Sequence, residues 1–145
     1  MMDSNLKRAI LMQHYERPLN KGLVADERYI SRHMASDSCI DDFTIAVLVE
    51  DDEVKDVRFE GRGCTISTAS ISILSELLKG KKKAEAFKIL DEYEKMINHQ
   101  EYDEDLLEEA NAFDSIYKQA NRIKCGTIGH HALMQILQED NDGRD

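Results

Sequence analysis

The chain contains no tryptophan, a single proline and no long apolar run. Its longest uninterrupted apolar stretch, Ile45 to Val49, has the length of a β-strand, whereas a membrane span needs about 18 or more such residues. The first residues also lack the positive start and apolar stretch of a signal peptide. These absences predict a cytoplasmic protein without a transmembrane helix.

Basic residues are scarce relative to acidic ones. The sequence has 19 Lys and Arg against 29 Asp and Glu, which gives a formal net charge of −10. A nucleic-acid binder would present a basic face to phosphates, and a peripheral membrane protein would present one to anionic lipids. We therefore expect neither kind of partner. The length of 145 residues is near that of one domain, so we predict a single domain over 1–145, with a disordered tail from about residue 140.

The apolar pattern changes from helical to strand-like and back along the chain. Two β-branched runs separated by an acidic turn predict an antiparallel hairpin, and helices are predicted on both sides of it in sequence. Strands followed by helices, rather than alternating with them, indicate the α+β class: a small antiparallel sheet with helices packed on it. The predicted helices are 6–15, 64–79, 83–98, one capped by Asp103 and running to 117, and 126–139; the predicted strands are 29–34, 43–49 and 54–60.

Three cysteines in a chain without an export signal do not indicate a disulfide framework, because cytosolic thiols are kept reduced. Each lies at a predicted element boundary: Cys39 in a loop, and Cys64 and Cys125 at helix starts, where the helix dipole favours a thiolate. Three thiolates meeting at one point would leave a tetrahedral metal one ligand short, and Asp41 is placed to supply it. Because the chain has no CxxC pair, three unrelated buried cysteines are the alternative.

Four segments, in chain order, resemble the signature blocks of U-type iron–sulfur cluster assembly proteins. The similarity extends over about residues 6–137, and the block around Cys64 is its most specific part. Within this family, Lys124 before the third cysteine and the long separation of Cys64 and Cys125, 61 positions apart, resemble the SufU branch. The segments are His14-Tyr15-x-x-Pro18-x-Asn20-x-Gly22, Cys39-x-Asp41, Gly61-x-Gly63-Cys64-Thr65-Ile66-Ser67-x-Ala69-Ser70 and Arg122-x-Lys124-Cys125-x-Thr127-Ile128.

The resemblance implies a zinc ion bound by Cys39, Asp41, Cys64 and Cys125. It also implies a partner, a PLP-dependent cysteine desulfurase, one histidine of which takes over a zinc position on docking. Cys39 is thereby freed to accept the persulfide sulfur, and Arg122 assists the exchange. The sulfur would pass on to a cluster scaffold or to apo-proteins. The resemblance thus predicts a zinc-dependent sulfurtransferase that feeds iron–sulfur cluster assembly.

Two other functions are compatible with the same residues. The four ligands could hold a [2Fe–2S] cluster, in which a carboxylate in place of one cysteine should leave the cluster labile. The chain would then be a scaffold that assembles and transfers the cluster. Alternatively, a zinc ion could be purely structural and the domain an interaction module.

The sequence departs from the family pattern beside the predicted ligands. Ile40 stands where the family has glycine; if that position requires a positive φ, the loop is strained and the placement of Asp41 changes. His130 stands where tryptophan is usual, either as simple repacking or as a polar group beside the metal. Its neighbour His131 follows Cys125 closely and is a weaker ligand candidate.

Overall fold

The computed structural model describes residues 2–35 and 40–143. They form a three-stranded antiparallel sheet, ordered β1-β2-β3, with helices packed against it, which confirms the predicted α+β class. The helices and strands are α1 (Ser4–Glu16), β1 (Ile30–Ala35), β2 (Asp42–Glu50), β3 (Glu53–Arg62), α2 (Thr65–Leu78), α3 (Lys83–Ile97), α4 (Glu104–Leu107) and α5 (Ala120–Gly143), with 3₁₀ turns at Glu108–Phe113 and Ile116–Lys118.

The hairpin predicted from the β-branched runs is present as β2 and β3. Asp51 and Asp52 connect the strands with φ of 53° and 62°, the doubly positive pattern of a type I′ turn, which matches the twist of the paired strands. Glu50 pairs with Glu53 across this turn. β1 adds to the other edge of β2, so the predicted strand at 29–34 is also confirmed within one residue.

Helix α2 lies at the centre of the molecule because its small residues let neighbouring elements approach closely. Four of its serines are fully buried, and each hydroxyl has a hydrogen-bond partner. All four serines connect α2 to other parts of the chain: Ser67 bonds to Asp41, Ser70 to the carbonyl of Gly126, Ser72 to His14 and Ser75 to Asn20. Helix α2 therefore helps to position the segments that carry Asp41 and Cys125, because its serines bond to both of them.

The single helix predicted from Asp103 to Tyr117 is wrong. Only the first turn is α-helical, and the chain breaks at Glu108, whose φ of 44° ends α4. The side-chain amide of Asn111 donates to the carbonyls of Glu104 and Glu108 at 2.8 and 2.9 Å. The Asn111 side chain thus bonds to carbonyls that backbone N–H groups would reach in a continuous helix. The apolar residues from which the helix was predicted lie in 3₁₀ turns instead.

The last helix is longer than predicted at both ends. It begins at Ala120 rather than Gly126, so Cys125 lies in its second turn and does not open it. Gly126 and Gly129 lie inside the helix, and packing explains why both are glycines. A Cβ at Gly126 would lie 2.9 Å from Ile116, and one at Gly129 would lie 2.6 Å from Ile71. At the other end the helix runs to Gly143, past the predicted tail start at residue 140.

An ion pair accounts for part of this extension. Asp140 lies 2.5 Å from Lys83 Nζ, and both side chains are at most a tenth exposed. Although α5 is the longest helix, no helix in the described ranges combines the length and apolarity needed to cross a membrane.

Candidate metal centre

Three of the four predicted ligands meet at one point although they come from distant parts of the sequence. Asp41 precedes β2, Cys64 precedes α2, and Cys125 lies in α5; their ligand atoms are all within 4.8 Å of one another. Asp41 and Cys125 are buried, and Cys64 is partly exposed. Cys39, the fourth predicted ligand and the predicted sulfur acceptor, lies outside the described residues.

The carboxylate of Asp41 is fixed by two hydrogen bonds to one oxygen. Oδ1 accepts from the backbone N–H of Cys64 at 3.0 Å and from the hydroxyl of Ser67 at 2.8 Å. Since Asp41 is only 2% exposed, these bonds replace much of the solvation that the carboxylate loses. The result is a carboxylate oxygen held close to the Cys64 end of α2.

The two glycines before Cys64 allow this close approach. Gly61 has φ of 127°, and a Cβ there would lie 2.1 Å from the carbonyl oxygen of Asp42. A Cβ on Gly63 would lie within 2.6 Å of Asp41 Oδ1, Phe43 and Ser67. The Gly-x-Gly motif therefore brings the start of α2 against the start of β2, rather than cradling a phosphate.

Cys64 is the N-cap residue of α2, as the sequence predicted. Its sulfur accepts from the backbone N–H of Ser67 at 3.4 Å. This N–H is one of the helix-terminal donors that have no partner within the helix, so the sulfur occupies the place that a serine or aspartate oxygen takes in common caps. The interaction orients Sγ toward Asp41 and Cys125.

Cys125 is oriented by the packing of α5 on α2 and α3. The carbonyl of the following residue, Gly126, accepts from the hydroxyl of Tyr93 at 2.6 Å and from that of Ser70 at 3.0 Å. Both hydroxyls are buried, and loss of water around Tyr93 raises its pKa, which keeps the phenol protonated as a donor. These two bonds anchor the turn of α5 that carries Cys125.

The donor set fits a tetrahedral zinc ion. Zinc binds cysteine sulfur at about 2.3 Å and carboxylate oxygen at about 2.0–2.2 Å, so tetrahedral ligands lie about 3.6–3.8 Å apart. The described ligand atoms, all within 4.8 Å of one another, reach that geometry by small side-chain adjustments. Two thiolates and one carboxylate leave one position of a four-coordinate site for a further ligand, the place that the sequence assigns to Cys39.

The residues that depart from the family pattern lie outside this cluster. His130 is 2% exposed, stacks on Tyr93 with ring centroids 5.8 Å apart, and bonds through Nε2 to the carbonyl of Leu90 at 2.8 Å. Burial lowers the pKa of His130 below its ordinary 6.5. This environment favours repacking, while His131 is exposed. Ile40 is 73% exposed, and Asp41 beside it is nevertheless in the cluster.

Arg122, predicted to assist sulfur exchange, lies on α5 one turn before Cys125 and is exposed. Its guanidinium makes no hydrogen bond or ion pair with the described part of the chain, although its backbone N–H donates to the carbonyl of Gln119 at 2.8 Å. The structure thus leaves its guanidinium available to a partner molecule, and its role in exchange stays a prediction.

Two structural residues were not identified from the sequence. Ser67 orients Asp41, and its signal was its place three residues after Cys64, the usual spacing of a residue bonded to an N-cap. His14 is buried between Ser72 Oγ, at 2.7 Å from Nδ1, and Glu109 Oε1, at 3.0 Å from Nε2. Its signal was the N-terminal block of the family pattern, in which Asn20 also bonds to α2.

Fold and site together define a small α+β protein with a mixed thiolate–carboxylate cluster suited to a soft metal ion. The chain belongs to the family described as the NifU-like N terminal domain, whose sequence model matches residues 7–126. This membership confirms the resemblance to U-type assembly proteins.

Curated relatives cover nearly the whole chain. The zinc-dependent sulfurtransferase SufU of Bacillus subtilis (strain 168) is 32% identical over 139 residues, which are 95% of this chain and 93% of the relative. The iron–sulfur cluster assembly scaffold protein IscU of Streptococcus pyogenes serotype M1 is 31% identical over 136 residues, 93% of this chain and 84% of the relative. The two relatives carry different activities in their names at nearly equal identity.

Solved structures have the same fold. A crystal structure of a putative cluster assembly scaffold protein for the SUF system from Fervidobacterium islandicum AW-1 matches with a TM-score of 0.80 and 29% identity, over 88% of this chain and 93% of that one. An N-terminal NifU-like protein from Brucella abortus matches with a TM-score of 0.84 at 14% identity, over 97% of this chain and 99% of that one. At that low identity the second match concerns the fold alone.

Proposed function

We propose that this protein is a zinc-dependent sulfur acceptor that takes persulfide sulfur from a cysteine desulfurase and supplies it to iron–sulfur cluster assembly. The observation that carries the proposal is the convergence of Asp41, Cys64 and Cys125 within 4.8 Å. The curated relative SufU, which is named a zinc-dependent sulfurtransferase and matches 95% of the chain, supports it. The proposal treats residues 1–145 as a single domain.

Asp41, Cys64 and Cys125 would hold the ion together with Cys39. When bound, zinc keeps thiolate ligands deprotonated while engaging the lone pair that a nucleophile needs. The protein's own contribution is to hold Cys64 as a helix cap and Asp41 by two hydrogen bonds, so that the ligand that leaves is Cys39.

Sulfur transfer to Cys39 is a thiol exchange. The Cys39 thiolate attacks the outer sulfur of the partner's cysteine persulfide, a new S–S bond forms on Cys39, and the partner's S–S bond breaks to leave its thiolate. No net oxidation or reduction occurs. The exposed guanidinium of Arg122 is available to stabilise the negative charge that is passed from one sulfur to the other.

Metal analysis of the purified protein, paired with persulfide detection by alkylation and mass spectrometry after incubation with a desulfurase and cysteine, tests this function. We expect about one zinc per chain and an additional sulfur on Cys39. Cys39→Ala should abolish sulfur uptake, and Cys64→Ala or Cys125→Ala should lose metal and stability together, since structural zinc sites contribute on the order of 10 kcal/mol to folding in small zinc-finger peptides. A Cys39→Ala variant that still stimulates its desulfurase normally would refute the assignment.

A cluster scaffold is the second candidate, because a relative named as a scaffold protein, IscU, is 31% identical over 93% of the chain. Anaerobic reconstitution with iron and sulfide separates the two functions. A stable coloured cluster favours the scaffold, and retention of zinc with persulfide on Cys39 favours the sulfur acceptor. Full zinc occupancy without any sulfur uptake would indicate a structural zinc domain.

A further inference from the structure

A cavity of about 430 Å³ opens beside the candidate metal centre. It lies between the first turns of α1, the 3₁₀ turns and the starts of α2 and α5. Leu11, Ile66 and Phe113 give it an apolar floor. We call it the α1 cleft.

The rim of the α1 cleft is cationic in a chain that is otherwise strongly acidic. Lys7, Arg8 and Arg122 line it, and no Asp or Glu among the described residues does so. Lys7 is paired with Asp114 at 2.5 Å, whereas the guanidinium groups of Arg8 and Arg122 form no hydrogen bond or ion pair within the described residues. The sequence has 29 acidic residues against 19 basic ones, so a cleft lined by three basic residues and, in the described part of the chain, no acidic one is suited to accept negative charge.

The α1 cleft adjoins the metal centre through two of its residues. Ile66 follows Cys64 by two positions, and Arg122 precedes Cys125 by three. An occupant of the cleft is therefore next to any molecule that delivers sulfur to the site. Because the chain as a whole carries a net charge of −10, a local basic rim would help to orient an acidic segment on this cleft.

We propose that the α1 cleft docks an acidic segment of the sulfur-donating desulfurase, with an apolar side chain on Leu11 and Ile66 and a carboxylate between Arg8 and Arg122. This inference rests on the proposed function and adds the chemistry of the partner's docking segment. Carboxylates pair with guanidinium groups in a bidentate manner, and a segment of this kind complements both the floor and the rim.

Arg8→Glu tests the proposal, because Arg8 is exposed and its substitution leaves the core and the metal ligands intact. The probe is a purified SufS-type cysteine desulfurase with its pyridoxal phosphate bound. Equilibrium binding to the zinc-loaded wild-type chain and to the variant is measured over a range of salt concentrations, and desulfurase turnover is measured in parallel. We expect Kd and KM for the chain to rise about tenfold, a weaker salt dependence, and kcat near that of the wild type.

Arg17→Glu is the matched control, since it makes the same charge change on an exposed residue at the other end of α1, outside the cleft. Arg8→Lys should recover part of the affinity because it keeps the charge without the bidentate geometry. Equal losses in Arg8→Glu and Arg17→Glu would reduce the effect to net charge and overturn the docking site. So would an Arg8→Glu variant that binds like the wild type.

Two further outcomes separate this proposal from the proposed function. If the wild-type chain binds the desulfurase but accepts no sulfur, the proposed function is wrong. The docking site is still tested in that case, by the ratio of the Kd of Arg8→Glu to the Kd of the wild type. If inorganic phosphate binds the wild type at millimolar concentration, is lost in Arg8→Glu and leaves desulfurase binding unaffected, the cleft is a small-anion site and the docking proposal is wrong.

Discussion

Ser67→Ala isolates the contribution of one buried hydroxyl to the metal centre. The Ser67 hydroxyl donates to Asp41 Oδ1 at 2.8 Å, and its side chain is fully buried. Alanine removes the donor and leaves almost the same volume. The carboxylate then retains the backbone N–H of Cys64 at 3.0 Å on that oxygen but loses its second restraint.

The expected loss follows from the charge of the acceptor. A hydrogen bond to a charged group contributes about 1.5–3 kcal/mol, and loss of a hydrogen bond that orients a metal ligand typically lowers metal affinity about 10–100-fold. A tenfold change corresponds to about 1.4 kcal/mol, so the two figures agree. We therefore expect Ser67→Ala to weaken zinc binding by about 10–100-fold.

Competition with a chromophoric zinc chelator at fixed pH measures this affinity. Ser75→Ala is the control, because Ser75 is also fully buried on α2 but donates to the carbonyl of Ser72, away from the metal ligands. Urea unfolding should show that both variants lose stability. Only Ser67→Ala should lose zinc affinity, and a Ser67→Ala protein that binds zinc within twofold of the wild type would contradict the positioning role.

Three other substitutions test separate parts of the structure. Gly63→Ala should lower both zinc affinity and stability, measured by chelator competition and urea unfolding, because its Cβ would overlap groups within 2.6 Å. His14→Leu should cost about 1–3 kcal/mol in urea unfolding, because the buried hydroxyl of Ser72 loses its bond to His14 and keeps only the backbone N–H of Leu19. His130 has a pKa lowered below 6.5, so the unfolded chain binds a proton there that the folded chain does not, and stability falls as pH drops below about 6.5. His130→Phe should flatten this fall by up to about 1.4 kcal/mol per pH unit, measured by urea unfolding of the zinc-loaded protein between pH 7.5 and 5.

Elements with a dominant local pattern were predictable from the sequence. The β2–β3 hairpin combines β-branched runs with a two-aspartate turn, and α2 begins behind two glycines with Cys64 as its cap. In both cases turn chemistry and apolar period agree, so tertiary contacts reinforce the local preference. Asp41, Cys64 and Cys125, which the family resemblance named as ligands, do lie together, whereas Cys39 is outside the described residues.

Two predictions were wrong because individual side-chain contacts outweigh the local sequence pattern. Gly126 was interpreted as a helix start, but α5 keeps a glycine there because Ile116 and the hydroxyl of Tyr93 approach its backbone. The region after Asp103 has helical spacing, yet the amide of Asn111 stabilises a break at Glu108. Apolar periodicity reports neither a side chain packed close to a glycine nor a bond from a side chain to the backbone, so it could predict neither departure.

The hydrogen bonds that hold Asp41, Cys64 and Cys125 limit which ligand can leave the metal and accept sulfur. An acceptor thiolate must leave its ligand position to attack a persulfide, which requires freedom that the other ligands lack. Cys64 caps α2, so its release removes a helix-terminal hydrogen bond, and Cys125 lies inside α5 on a turn anchored by Tyr93. Asp41 has no sulfur and is held by two donors. Each described ligand is thus tied to secondary structure or to a buried donor, which makes it poorly suited to leave the metal, and the choice of Cys39 as the acceptor stays a prediction from the sequence motif.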